Sequence, residues 1–140
     1  MGIRRWITDR LVGFLTDPLP GYERRGWNDP EALRRQIRKG DVLLVDGDTR
    51  VSAMIKYLTQ SSWSHSAFYI GDEMLKRGGE HAEQARQAFG EEADHLLVEA
   101  LPQGVVASPL SKYIDFNIRL ARPHRLRAEH LQSILDDHVA

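Results

Sequence analysis

Short apolar runs, none longer than an ordinary β-strand, limit most strongly how this chain can fold. Residues 41–45 form one such run between Gly40 and Gly47, a pattern typical of a strand buried on both faces. Further strands are predicted over residues 65–70, 96–100 and 118–121. The segments between these runs do not alternate regularly with them, as they would in a parallel sheet. The sequence therefore predicts an α+β fold with a small, mainly antiparallel sheet and flanking helices.

Helical patterns predict the flanking elements. Asp29 is a favourable helix cap, and Pro30 suits the first helical position. In that helix Leu33 and Ile37 face inward, and Gly40 ends it. Two more helices follow at residues 50–60 and 73–94, and a last one begins at about residue 125. Their apolar stripes are Val51, Met54, Ile55 and Leu58 in the first, Ala82, Ala85 and Phe89 in the second, and Leu126, His130, Ile134 and Leu135 in the last.

The chain divides into an N-terminal part and one domain. Residues 1–27 predict an amphipathic helix followed by a connection, and residues 28–140 predict a single α+β domain with a helical insertion at 72–95. Pro102, Gly104 and Pro109 indicate a turn-rich connection. The apolar stripe of the first helix is Ile3, Trp6, Ile7, Leu11, Phe14 and Leu15. Such a stripe either docks on its own domain or lies on a membrane surface through residues 3–15.

Composition excludes several classes of protein. The 140 residues suit one core, and the net charge of -1 gives no electrostatic reason to expect a nucleic-acid partner. The chain contains no cysteine, which excludes disulfides, thiolate metal sites and a thiol nucleophile within it. No stretch approaches the roughly 20 apolar residues that span a bilayer. A cytoplasmic location is expected, with peripheral membrane contact as the alternative.

A histidine and a glutamate are the candidate functional residues. His65 stands at the start of a predicted strand, where an imidazole can exchange protons with a bound group. Glu99 stands near the end of another strand whose remaining residues favour burial. If these strands pair antiparallel, the two side chains come within reach, and the carboxylate would orient the imidazole as in a hydrolase triad. The simpler alternatives are a structural histidine and a surface glutamate.

The motifs around these residues resemble the permuted papain-like amidases of the YaeF/YiiX type, within the NlpC-like cysteine hydrolase superfamily. They occur in the same order as in that family and extend from residue 40 to about 122: Gly40–Leu44, Trp63–His65, Tyr69–Gly71, Val98–Ala100, Val105, Pro109–Leu110 and Arg119–Leu120. The resemblance implies a permuted papain-like fold that is incomplete in this chain. It also implies a general base at His65 and its orienting partner at Glu99, with Tyr69 at most a wall of the cleft.

The resemblance further implies a substrate with an amide or ester bond, such as a peptide, an amide or a lipid ester. Family members attack the carbonyl with a thiolate whose cysteine follows the histidine and glutamate in sequence. Because this chain has no cysteine, we expect it to be inactive as it stands, either as a fragment of a longer enzyme or as a short form. Ser61, Ser62 and Ser64 are unsuitable replacements because they belong to the histidine's own segment.

Two functional hypotheses therefore remain open at the level of sequence: an amidase or acyl hydrolase, and a non-catalytic binding or membrane-surface module on the same fold. Self-association is a secondary expectation, since an incomplete fold leaves an apolar face uncovered. No metal or other cofactor is expected. The six histidines lack the spacing of metal ligands, and Gly78-Gly79 lacks the context of a phosphate-binding loop.

Overall fold

The protein has an α+β fold built on a five-stranded antiparallel sheet, as the sequence predicts. The structure, a computed structural model, describes residues 13–23, 28–102 and 104–122. The helices are α1 (Pro30–Gln36), α2 (Arg50–Thr59), α3 (Glu73–Arg77) and α4 (Gly79–Phe89), with 3-10 helices at Gly90–Asp94 and Leu110–Tyr113. The strands are β1 (Val42–Asp46), β2 (His65–Gly71), β3 (Leu96–Leu101), β4 (Gly104–Pro109) and β5 (Asn117–Ala121).

The strands lie in the order β4-β3-β2-β1-β5, and every neighbouring pair is antiparallel. In this register Val45 pairs with His65, and Ala67 pairs with Glu99. Since side chains alternate between the two faces of a strand, His65, Ala67 and Glu99 share one face. The pairing of β2 with β3 therefore places both candidate residues on the same face of adjacent strands.

The main core lies on the face that carries His65 and Glu99. Helix α1 packs there through Leu33 and Ile37, as predicted, and the Asp29 carboxylate accepts a hydrogen bond from the Glu31 amide at 3.0 Å. The helix ends at Gln36, before the predicted end at Gly40, because Ile37 already has an extended backbone. The core consists of Leu33, Ile37, Leu43, Val45, Ala67, Tyr69, Leu97, Leu110 and Tyr113.

The segment between β2 and β3 covers part of the opposite face. It consists of α3, α4 and the 3-10 helix Gly90–Asp94, and Ala82 and Ala85 are buried, as expected. Its core is formed by Ile70, Met74, Ala85, Ala93 and Leu96. Because it packs over β2 and β3, Val42 and Leu44 of β1 remain only half-buried. The prediction that the first strand is buried on both faces is therefore wrong.

The stretch from Gly104 to Pro109 is a strand rather than the turn-rich connection that the sequence predicted. It forms β4, pairing with β3 from Leu101↔Gly104 to Leu96↔Pro109. Glycine and proline at the two ends concealed the strand, although both are tolerated at the ends of an edge strand. The pairing with β3 supplies the hydrogen bonds that local sequence did not predict.

Helix α2 follows its predicted range closely, but it contains no buried residue. Met54 and Leu58 of its apolar stripe are 49% and 70% exposed. Of the N-terminal helix, the described part, residues 13–16, is helical. Residues 1–12 and the predicted helix from about 125 lie outside the described residues. Among the helices that the structure describes, none has the length and apolar content required to cross a membrane.

Candidate functional site

His65 is the first residue of β2, and the turn before it is tied to the end of β1. The Ser64 hydroxyl accepts a hydrogen bond from the Gly47 amide at 2.9 Å. A β-carbon at position 47 would collide with the hydroxyl of Ser52 and lie 2.9 Å from that of Ser64. A side chain at position 47 would therefore force these serine side chains to move. The result is an imidazole at the strand entrance with its side chain 26% exposed.

Glu99 lies in the middle of β3 with a fully buried side chain, 0% exposed. Its Oε2 atom lies 2.7 Å from His65 Nε2. The expected contact between the two side chains is therefore present, and it arises from the antiparallel pairing of β2 with β3. Burial of a carboxylate is costly unless several donors compensate it, so its remaining contacts matter.

Two consecutive residues of the 3-10 helix Leu110–Tyr113 complete the site. Lys112 Nζ donates to Glu99 Oε1 at 2.5 Å, and the buried Tyr113 hydroxyl donates to Glu99 Oε2. The Tyr113 ring lies against His65, with their centroids 5.9 Å apart. Neither residue was a candidate from sequence, because a Lys-Tyr pair after a proline carries no signal until the chain folds back onto β3.

These contacts keep Glu99 ionised. Burial alone would raise the pKa of its carboxyl, but hydrogen bonds from Lys112, Ser108, Tyr113 and His65 outweigh burial and lower that pKa to about 2. Burial and the neighbouring carboxylate raise the pKa of Tyr113, which stays a neutral donor. An ionised carboxylate donates no hydrogen bond, so the hydrogen between Glu99 and His65 belongs to the imidazole Nε2.

Tyr69 does not line a cleft at this site. It lies four residues beyond His65 in the core, 5% exposed, and its hydroxyl is 2.7 Å from His95 Nδ1. Burial raises its pKa to about 12, with a further contribution from Asp94 and Asp72. The resemblance had allowed Tyr69 a place in the wall of the cleft, and the structure makes it a core residue that anchors a second histidine.

The serines near His65 are engaged in the turn that positions it. The Ser64 hydroxyl contacts the Gly47 amide, and the Ser61 hydroxyl accepts from the Trp63 amide at 3.0 Å. Both arrangements hold the backbone before β2. This geometry agrees with the expectation that Ser61 and Ser64 do not replace a thiol nucleophile.

Two clefts lie beside β5, away from His65. Their volumes are about 380 and 430 Å³, and neither includes His65 or Glu99 among its lining residues. Within residues 13–23, 28–102 and 104–122, no three histidine, aspartate or glutamate side chains are grouped as metal ligands. The candidate functional site is therefore the connected group of polar side chains of His65, Glu99, Lys112 and Tyr113.

Comparison of the chain with protein-family models, curated proteins and solved structures finds no match. The likeness to permuted papain-like amidases therefore rests on the short motifs alone. What the structure adds is independent of that likeness: a partly exposed imidazole held by a buried, ionised carboxylate.

Proposed function

We propose that His65 and Glu99 are the acid–base part of a hydrolase or acyltransferase that acts on amide or ester bonds. The observation that carries this proposal is the 2.7 Å contact between His65 Nε2 and the buried Glu99 carboxylate. In that arrangement the imidazole accepts a proton from a nucleophile and returns it to the leaving group, while the carboxylate stabilises the imidazolium.

The nucleophile must come from outside these 140 residues if it is a thiol, because they contain no cysteine. Either a continuation of the chain or a second polypeptide would supply it. The substrate class is a peptide, an amide or a lipid ester, in which a carbonyl carbon is attacked and an amine or alcohol leaves. A cytoplasmic location remains a prediction.

Turnover by the complete protein tests the proposal. The reading frame beyond residue 140 is first searched for a cysteine, and hydrolysis of ester and amide substrates is then measured. We expect His65→Ala and Glu99→Gln to lower kcat by about 10²- to 10⁴-fold. His95→Ala is the matched control, since its side chain is 27% exposed, close to the 26% of His65. Full activity in His65→Ala would overturn the proposal.

A non-catalytic role at a membrane surface is the second candidate, and an exposed apolar stripe favours it. Met54, Tyr57 and Leu58 of α2 are 49%, 75% and 70% exposed. They share one side of the helix with Arg50, whose guanidinium lies 4.3 Å from the centre of the Phe14 ring. Apolar and aromatic side chains beside an arginine suit the headgroup boundary of a bilayer.

Liposome flotation tests this candidate. We expect Tyr57→Ser with Leu58→Ser, or removal of residues 1–16, to reduce the fraction of protein that floats with anionic vesicles. Val105→Ser is the matched control, because Val105 is also half-exposed but lies on the edge strand β4. Equal flotation of all variants would remove the stripe from consideration. Light scattering on the same samples measures the predicted self-association.

A further inference from the structure

A single turn of 3-10 helix places two different donors on the two oxygens of Glu99. Lys112 reaches Oε1 and Tyr113 reaches Oε2, so that both oxygens are held. Tyr113 is itself fixed, since its ring packs against Phe116 at a centroid distance of 5.9 Å and is 5% exposed. The carboxylate therefore cannot rotate without breaking a contact at one end.

The charge of this group is balanced locally. The Lys112 ammonium, 37% exposed, lies beside the fully buried Glu99 carboxylate. A buried carboxylate without that cation would tend to take up a proton, and a protonated carboxyl could donate to the imidazole and reverse the hydrogen bond. The tautomer of His65 thus depends on keeping Glu99 ionised and oriented.

We propose that Lys112 and Tyr113 are positioning residues, which hold Glu99 as an oriented carboxylate so that His65 carries its hydrogen on Nε2. The reacting nitrogen is then Nδ1, because Nε2 is occupied by the bond to Oε2. The inference rests on the proposed function and adds to it the nitrogen that takes the proton. Any nucleophile must therefore approach the Nδ1 edge of the ring.

Nuclear magnetic resonance of the 140-residue protein tests this inference without turnover. Long-range proton–nitrogen spectra of labelled histidine, with His65 assigned from a His65→Gln variant, report which ring nitrogen carries the hydrogen. Titration of the labelled Glu99 carboxyl reports its pKa. We expect the hydrogen on Nε2 at a pH where the ring is neutral, and we expect Lys112→Met to raise the pKa of Glu99 by about 1 to 3.

Matched controls separate positioning from general packing. Tyr113→Phe should also raise the pKa of Glu99, whereas Tyr69→Phe should not, although both tyrosines are 5% exposed and hydrogen-bonded. Lys39→Met is the control for Lys112, since Lys39 is 33% exposed and paired with Asp72. Lys112→Arg should restore the low pKa. If Tyr113→Phe does not fold, the lysine variants carry the test.

The results distinguish this inference from the proposed function. A hydrogen on Nδ1 of His65 overturns the inference, and so does a Glu99 pKa that is unchanged in Lys112→Met. The expected spectra in a complete protein that hydrolyses no amide or ester would instead overturn the proposed function alone.

Discussion

Two histidines of almost equal exposure lie at β2, and they have different partners. His65 is the first residue of this strand, and His95 contacts its Tyr69. His65, 26% exposed, contacts the carboxylate of Glu99, which is fully buried and receives donors on both oxygens. His95, 27% exposed, contacts the neutral hydroxyl of Tyr69, and its nearest carboxylate, Asp94, is 54% exposed and 3.8 Å away. The imidazoles are alike, but only one is held by a buried charge.

The difference shows what makes a histidine a candidate for catalysis. Exposure alone does not distinguish the two rings. A buried anion holds the ring and its tautomer in a setting that water screens weakly, whereas the charge of an exposed aspartate is largely screened. The following predictions test this contrast, beginning with the largest expected effect.

Glu99→Ala should lower the free energy of unfolding by about 3 to 5 kcal/mol, because three hydrogen bonds to a charged acceptor are lost and the buried Tyr113 hydroxyl is left without its partner. Urea denaturation followed by circular dichroism measures the loss. Glu92→Ala is the control. Like Glu99, Glu92 has a hydroxyl donor and a cationic partner, here Ser111 and Arg34, but its side chain is 34% exposed. Equal losses in the two variants would contradict the expectation that the buried Glu99 stabilises the fold more than a partly exposed glutamate does.

Stability should fall with acid in a way that depends on Glu99. The folded pKa of about 2 lies below the ordinary value of 4.5, so the carboxylate contributes stability above pH 4.5 that is lost as the pH falls towards 2. The loss should be smaller than that caused by Glu99→Ala, since a protonated carboxyl keeps some hydrogen bonds. Urea midpoints from pH 6 to 2 should decline less steeply in Glu99→Gln than in the wild type, and parallel declines would refute the assignment.

The two buried tyrosines should differ when each loses its hydroxyl. Tyr113→Phe removes a bond to a charged acceptor and should cost about 1.5 to 3 kcal/mol, whereas Tyr69→Phe removes a bond to a histidine ring and should cost about 0.5 to 1.5 kcal/mol. Parallel urea titrations of the two variants give the comparison. A larger loss of stability in Tyr69→Phe would contradict the expectation that the hydrogen bond to Glu99 is the stronger of the two.

Asp94→Asn should have the smallest effect, below about 0.5 kcal/mol, because the Asp94 carboxylate is 54% exposed and lies 3.8 Å from the His95 ring. Thermal unfolding of this variant beside the wild type checks the expectation. A loss comparable to that of Glu99→Ala would mean that Asp94 and His95 form a coupled pair, which would remove the contrast between the two histidines.

Much of the sheet could be predicted from local pattern. The strands at 42–46, 65–71, 96–101 and 117–121 agree with short apolar runs between glycines and turn residues. Strand β4 could not be predicted in this way, since Gly104 and Pro109 indicate a turn and only the pairing with β3 makes the segment a strand. Helix α2 was predicted within one residue, but its exposed stripe depends on what packs beside it.

Two of the four residues of the candidate site could be predicted from the sequence. His65 and Glu99 stood out because a titratable residue in an apolar strand is unusual, and their contact was expected if the two strands paired antiparallel. Lys112 and Tyr113 gave no such signal, because the function of a lysine or tyrosine in a short polar turn depends on what lies opposite it. The proline before them and the packing of Tyr113 on Phe116 bring the turn onto β3.

The amino-acid order by itself determined most of the elements, the antiparallel character of the sheet and the candidate pair His65 and Glu99, because periodicity and residue chemistry act over a few neighbouring positions. Tertiary structure alone decided that Glu99 is buried, that two donors hold it ionised and that His65 uses Nε2 to contact it. Those properties depend on solvent exclusion and on atoms from segments 13 to 34 residues apart in the chain, and local pattern carries no record of either.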